Sequence, residues 1–390
     1  MSQPTFIRVI SQSTTGALGA LPRSIVVAGR EPIVGSIEPN TNTGLYKITA
    51  ALVATFEEEN PTAYGFIKAL RTAFGFIGTT EIYLLSTQGV ALTSAMLDKA
   101  NYNPRAWSFL NVASQTNGLD DESTFLADCI TAATWTTAAK RKVFFHSFSV
   151  EAGEYGETLP AELQLAGALT TKPRTKSLIT NAKEAFDEYT DVYHDPLLAC
   201  LCFCLYGGSI ARSLGSLSDA HDFAEVDGDT YSAAFRATIE SNSLAQYNGA
   251  KDQGGSKFVY DTFLNDDVNP PLTAQLETII AQDYIDDFVP ISVRNALQGA
   301  GRTGVEASYK GLLEIYTLTN TALNTLWKGG VIQTKADGTA DYTLTLKTLA
   351  EIDALNPNWR AEGVIPVGAI VGQIRAYGAI HYANILFNYN

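Results

Sequence analysis

The spacing of hydrophobic and polar positions changes period several times along the chain. Ser24 to Ala28 predicts a short strand, and Gly35 to Gly44 is rich in turn residues. Tyr46 to Thr55 alternates loosely, as a strand can. Asn60-Pro61 predicts a helix start, with Asn as cap and Pro at the first helical position. Ala63, Ile67, Leu70 and Phe74 then fall on one face, and Gly75 and Gly78 mark the end. A regular alternation follows: strand at Glu81 to Leu85, helix at Val90 to Ala100, strand at Ala106 to Val112. The next helix starts at Asp120-Asp121, an acidic first turn that suits the helix dipole, and ends at the basic Lys140 to Lys142. Val143 to Phe148 is a strand, Ser177 to Glu188 a helix, Thr190 to His194 a strand, and Leu197 to Leu214 a helix opened by Asp195-Pro196. Strand and helix in this rhythm predict an α/β layer with parallel strands.

The rhythm breaks from Gly215 to Gly255, which is acidic and turn-rich. A second pattern starts after Gly254-Gly255, with a strand at Phe258 to Phe263. Leu272, Leu276, Ile279, Ile280 and Tyr284 mark an amphipathic helix that stops before Pro290. Val305, Tyr309, Leu312, Tyr316, Leu323 and Trp327 mark a longer one that ends at Gly329-Gly330. Tyr342 to Leu346 alternates strictly, as a half-buried strand does. The loop Asn356 to Arg360 and the terminal strands complete an α+β half. The expected organisation is an arm at residues 1–20, an α/β domain at 21–253 and an α+β domain at 254–390.

The two ends stand out. From Ile365 to Asn390 the only formal side-chain charge is Arg375, and from Ala376 onward the chain is rich in Tyr, Ile, Leu and Phe. Thr5 to Ile10 is a second strand-like segment, followed by a connector of Ser, Thr, Gly and Ala from Ser11 to Ala20. Chain ends fray unless something ties them down. Either both segments are core strands of their own domain, or they pair with another molecule.

Composition narrows the classes of function. The chain has 390 residues and 46% hydrophobic content, enough for a folded protein of two domains. Lys and Arg number 27 against 41 Asp and Glu, a net charge of −14 that argues against a nucleic-acid surface. The start MSQPTFIRVI lacks the basic region and apolar core of a signal peptide, and no apolar run is long enough to cross a membrane. Synthesis in a cytoplasm, without membrane insertion, is the expectation.

Candidate chemistry is sparse. Cys200, Cys202 and Cys204 form C-x-C-x-C inside an apolar run, which fits buried, reduced side chains rather than a zinc site, and Cys129 stands alone. His146, His194, His221 and His381 are not at metal-ligand spacing. Asp219 to Asp229 has the wrong spacing for a calcium loop. Gly299-Ala300-Gly301-Arg302-Thr303-Gly304 is formally G-x-G-x-x-G. A dinucleotide site would need an apolar strand before it and an acidic residue about twenty positions beyond, where Asn324 and Thr325 stand. No catalytic constellation emerges, and no cofactor is implied.

The order of elements in the second half resembles the contractile tail sheath proteins of bacteriophages, in particular the short sheaths. The resemblance rests on the glycine-led Phe258-Val259-Tyr260-Asp261 strand with its acidic stop and long helix, and on the second helix ending in Gly329-Gly330-Val331-Ile332. Arg360, the Pro366 region and Gly378-Ala379-Ile380-His381 before the last strand complete it. It covers Gly254 to Asn390, and the first half, with Trp107 and Trp135, fits more loosely.

The resemblance implies a non-enzymatic structural subunit with no cofactor or metal. Such subunits form stacked six-fold rings around an inner tube, the domain with both chain termini lying inside and the middle of the sequence outside. Contraction of the rings drives the tube through the host envelope for genome delivery. Partners would be other copies of the chain, the tail tube protein, and the baseplate and tail terminator proteins, with no direct nucleic acid. The location would be the virion tail, after synthesis in the host bacterial cytoplasm. The implied exchange strands are Thr5, Phe6, Ile7, Arg8 and Val9 at one end and Ile380, His381, Tyr382, Ala383, Asn384, Ile385, Leu386 and Phe387 at the other. Arg294, Arg302 and Lys310 are the expected tube-facing residues. The rival readings are another self-assembling virion shell or surface-layer protein, and a nucleotide-binding enzyme using Gly299 to Gly304.

Overall fold

The computed structural model describes residues 24–77, 81–102, 107–113, 122–138, 142–149, 174–180, 185–187, 192–194, 245–247, 258–259, 276–301 and 305–376. These residues divide into two compact units, one running to Leu276 and one from Glu277. The architecture is mixed α/β and α+β, as the alternation predicts.

The first unit is built on an eight-stranded sheet. Its strands are β1 (Ile25–Gly29), β2 (Tyr46–Ile48), β3 (Ile82–Ser86), β4 (Phe109–Val112), β5 (Val143–Ser149), β6 (Thr175–Thr180), β9 (Ala245–Tyr247) and β10 (Phe258–Val259), in the order β10-β9-β6-β5-β4-β1-β3-β2. The interior pairings are all parallel, and only the edge strands β2 and β10 run antiparallel. A parallel sheet needs helical crossovers and is covered on its faces, so its strands read as apolar runs without alternation. Every residue of β1 and of β4 is buried. A separate hairpin pairs β7 (Ala185–Asp187) with β8 (Val192–His194).

Helices α2 (Tyr64–Ile77), α3 (Ser94–Ala100) and α4 (Glu122–Ala138) belong to these crossovers. Trp107, Leu110, Leu126, Cys129, Ala132, Trp135 and Phe144 share one core cluster, and burial pushes the Cys129 thiol well up. The rings of Trp107 and Trp135 stack at 5.8 Å, and the Trp107 indole donates to the Ala100 carbonyl at 3.1 Å. Lys142 is not a basic helix end. It is buried at the start of β5, its ammonium 4.3 Å from the Trp107 ring centroid and donating to the Trp107 carbonyl.

Several expectations change. The strand at Tyr46 is three residues long; a helical turn at Ala50–Leu52 and helix α1 (Val53–Glu59) replace the rest and bury Phe56. Asn60 does not cap the following helix. It closes α1, its amide nitrogen and side-chain Nδ2 both donating to the Phe56 carbonyl while its Oδ1 accepts from Val34. Helix α2 begins at Tyr64, and its first amides are met from a distance in sequence: the Glu31 carboxylate accepts from Gly65 at 2.9 Å and Phe66 at 3.1 Å. The helix passes through Gly75 and ends at Ile77, the residue before Gly78, so of the two expected stop signals only Gly75 lies inside it. The expected helix at Ser177 to Glu188 is instead β6 and β7, because Thr175–Thr180 completes a ladder beside β5. Phe258–Val259 pairs with β9 in the first unit's sheet, although the sequence pattern opens the second domain with it.

The second unit contains helices α5 (Leu276–Gly299) and α6 (Tyr309–Lys328), strand β11 (Tyr342–Leu346), helix α7 (Leu349–Leu355), a helical turn at Trp359–Glu362, and strand β12 (Ile370–Ile374). Helix α5 does not stop before Pro290. The proline is exposed inside it, where the ring costs one hydrogen bond but points into solvent. Leu312 is 1% exposed and packs with Ile352, Trp359 and Ala369, while Tyr316 is half-buried. The side chains of Leu276 and Ile280 lie outside the description.

Candidate assembly surface

The surface with most to offer a partner is the antiparallel β11–β12 pair. Tyr342, Leu344 and Leu346 alternate with exposed Thr343 and Thr345, so one face of β11 turns inward and the other to solvent. The inward face meets α6: the Tyr316 hydroxyl donates to the Leu344 carbonyl at 3.2 Å, and the Tyr342 hydroxyl donates to Asn320 Oδ1 at 2.9 Å.

The register fixes which backbone groups are spent within the pair. Tyr342 opposes Ile374, Leu344 opposes Gly372, and Leu346 opposes Ile370. The ladder is bonded at its two ends, where the Lys347 amide donates to the Ala369 carbonyl and the Arg375 amide to the Asp341 carbonyl, both at 3.0 Å. Bonded and non-bonded pairs alternate in an antiparallel ladder. The inner bonded pairs are therefore Thr345 with Val371 and Thr343 with Gln373. The amides and carbonyls of Ile370, Gly372 and Ile374 point away from β11. Among the described residues none of these groups has a partner, and four of the five β12 residues are exposed. Among the described residues the sheet has two strands, fewer than an isolated sheet needs to be stable in water.

The rest of the unit holds this strand pair firmly. Thr348 and Glu351 form a reciprocal capping box at the start of α7, and hydrogen bonds from Thr348 hold the Glu351 carboxyl below its ordinary range. Trp359 is 2% exposed and donates its indole N–H to Asp353 at 2.9 Å. Arg360 lies 4.8 Å over the Trp359 ring and pairs with Asp353 at 3.0 Å. The Trp359 and Arg360 donors hold the Asp353 carboxyl low. Arg375 and Asp341 pair at 3.4 Å across the far end of the ladder.

Of the residues singled out in the sequence, Arg294 is exposed on α5 and Lys310 is exposed in the first turn of α6. Arg302 lies outside the described residues, as do Thr5, Phe6, Ile7, Arg8, Val9 and Ile380, His381, Tyr382, Ala383, Asn384, Ile385, Leu386, Phe387, and the cysteines at 200, 202 and 204. Gly299 is the last residue of a helix, so the glycine-rich run does not follow a strand as a dinucleotide site requires. Gly301 takes a left-handed φ of 70°, which serves a turn. The open edge of β12 was not singled out by sequence. Its signal is Gly372 in mid-strand, the residue found where another backbone comes close.

No family model matches the chain, and no curated protein matches it. A chain from a solved assembly described as "Cryo-EM structure of the anti-feeding prophage (AFP) baseplate, 6-fold symmetrised" superposes with a TM-score of 0.64. The likeness covers 95% of this chain and 94% of that one at 13% sequence identity. It shows a shared fold over nearly the whole of both.

Proposed function

We propose that this chain is the structural subunit of a contractile phage tail sheath, polymerising as stacked six-fold rings around an inner tail tube and contracting to drive that tube through a host envelope. The supporting observation is the full-length fold likeness to a chain in a six-fold symmetrised baseplate. The role is structural rather than enzymatic. The partners are other copies of the chain, the tail tube protein, and the baseplate and terminator proteins that bound the tail. The location is the virion tail.

The joints between copies are exchanged strands. Thr5 to Val9 and Ile380 to Phe387 leave their own subunit, and the outer edge of β12 receives a strand from another copy. Strand addition uses main-chain hydrogen bonds, each contributing about 1 kcal/mol net, and tolerates varied side chains. The connector Ser11 to Ala20 reaches up to ~33 Å when extended, far enough to bridge subunits. A head-to-tail contact that does not close generates a helical polymer. The extended form is held by a kinetic barrier, so the joints must persist while subunits rotate. Arg294, Arg302 and Lys310 face the tube through solvated, salt-sensitive contacts that release when the sheath contracts.

Deleting residues 1–12 should leave a folded, soluble protein that forms no tubes in electron micrographs. Long tubes from the truncated chain would sink strand exchange. A shell component confined to the baseplate is the second reading, favoured by the assembly that the similar chain comes from. It predicts closed six-fold discs of fixed height where a sheath gives tubes of indefinite length.

A further inference from the structure

Between the helical turn at Trp359 and strand β12 the chain reads Gly363-Val364-Ile365-Pro366-Val367-Gly368, without one polar side chain. Both ends of this loop are fixed. Gly363 closes the helical turn in the left-handed region at φ 65°, and the Val364 amide donates back to the Trp359 carbonyl at 3.3 Å. At the other end the Ala369 amide donates to the Pro366 carbonyl at 3.0 Å, and Gly368 has φ 87°. That is a type II turn with Val367 at its tip. Pro366 is buried beneath it. The result is an aliphatic knob: Val367 is 97% exposed, Val364 60%, Ile365 39%, and Leu355, which borders Gly368, 45%.

A rigid apolar projection has already lost its conformational freedom, so covering it recovers burial free energy at little further entropic cost. Turns exposed for their own sake carry polar residues. We infer that this knob is the hydrophobic anchor of the joint between copies, covered by the C-terminal segment of a second copy as that segment adds to β12. The inference rests on the strand-exchange reading above.

Length and chemistry select the occupant. β12 has five residues, about 17 Å of edge, whereas Ile380 to Phe387 spans eight, about 26 Å at strand rise. An added strand of that length overhangs β12 by about 10 Å, and Val367 at the turn lies three residues before Ile370, the first residue of β12. The segment carries no Asp, Glu, Lys or Arg, and Ile385, Leu386 and Phe387 supply apolar surface to match the knob. At a net charge of −14 copies repel at long range, so a short-range apolar contact is what can hold them.

The test uses the full chain. Two preparations, one carrying Val367→Cys and the other Leu386→Cys, are mixed under assembly conditions and oxidised. A disulfide-linked pair that forms only in the mixture, above the background of the native cysteines, is expected. A chain carrying both substitutions that cross-links only within itself overturns the inference. Independently, Val367→Asp with Ile365→Asp should raise the concentration needed for tubes at least about tenfold while leaving the melting temperature unchanged. Normal tubes from that variant, alongside loss of tubes when residues 378–390 are deleted, overturn the anchor and leave strand exchange standing. Normal tubes from the deletion itself, or a wild-type chain that never assembles, overturn both.

Discussion

The two sheets of this protein solve opposite problems. The first unit's sheet has eight strands, and its centre is sealed: β1 lies between β3 and β4, all three parallel, and no residue of β1 reaches solvent. Among the described residues the second unit's sheet has two strands, and β12 leaves both a face and an edge exposed. The sealed sheet resolves even its loop polarity internally. At the end of β1, where open α/β sheets place their ligand crevice, Arg30 forms a bidentate pair with Asp128, and Asp128 also accepts the Leu92 amide. Glu31 meanwhile caps α2. At this position the protein's own charged side chains bond to one another and to neighbouring amides. A sheet so completed has little left to offer a partner, whereas β12 keeps an edge that no described residue pairs. Among the described residues, Val34, Val90 and Tyr102 are the only large hydrophobic side chains of the first unit that are exposed, against nine between Tyr309 and Ile374 in the second.

Core truncation should have the largest effect. Trp107→Ala removes a fully buried ring stacked on Trp135 and beneath Lys142, and should cost about 3–5 kcal/mol in equilibrium denaturation. Leu312→Ala probes the smaller core of the second unit and should cost about 2–5 kcal/mol. A negligible loss at Leu312 would mean that this small core does not by itself hold the second unit's shape.

A proline pair on β12 sharpens the contrast between a bonded and a free edge. The Val371 amide points into the ladder, so Val371→Pro removes a ladder bond, leaves the Thr345 carbonyl unmet and should destabilise the strand pair by about 1–3 kcal/mol. The Gly372 amide points outward, so Gly372→Pro removes no ladder bond; it should lower the melting temperature less than Val371→Pro, by what the added ring costs against Leu344, and, under the proposed strand exchange, abolish tubes. Equal thermal loss in both variants would overturn the register argument. The cap comes next. Thr348→Ala removes one half of the capping box and should cost about 1 kcal/mol, read as a lower denaturation midpoint with unchanged slope.

The smallest expected effect is on pH dependence. Burial raises the Glu31 carboxyl above its ordinary value of 4.5, against the hydrogen bonds from Gly65 and Phe66 that pull it down. A raised folded value means that its contribution to stability is complete below the unfolded value and is lost as pH rises through the folded one. Relative to Glu31→Gln, the wild type should therefore lose melting temperature as pH rises above the ordinary carboxylate value of 4.5 and through the raised folded one. A constant difference across that range would place Glu31 in a better-solvated site than the fold shows.

Much of the architecture was legible from one dimension. Apolar runs at Ile25, Phe109 and Val143 are local consequences of parallel strands buried on both faces, and the strict alternation of Tyr342 to Leu346 is a local consequence of a sheet with one wet side. The end of α6 at Gly329-Gly330 was legible too, because the stop signal is carried by the residues that execute it. What went astray depended on distant partners. Asn60 has a cap's chemistry, yet it closes α1 because Glu31, 34 residues before Gly65, takes the first amides of α2. Thr175–Thr180 has no strong strand pattern of its own and becomes a strand because β5 offers it a ladder. The candidate surface divides the same way. The sequence by itself determined that the chain from Ala376 onward is uncharged and apolar and that no catalytic cluster is spelled out. Which backbone groups of β12 face outward, and that Val367 stands on a turn with nothing of the described chain around it, follow from pairing register and packing, which only the tertiary structure decides because both are relations between residues far apart in sequence.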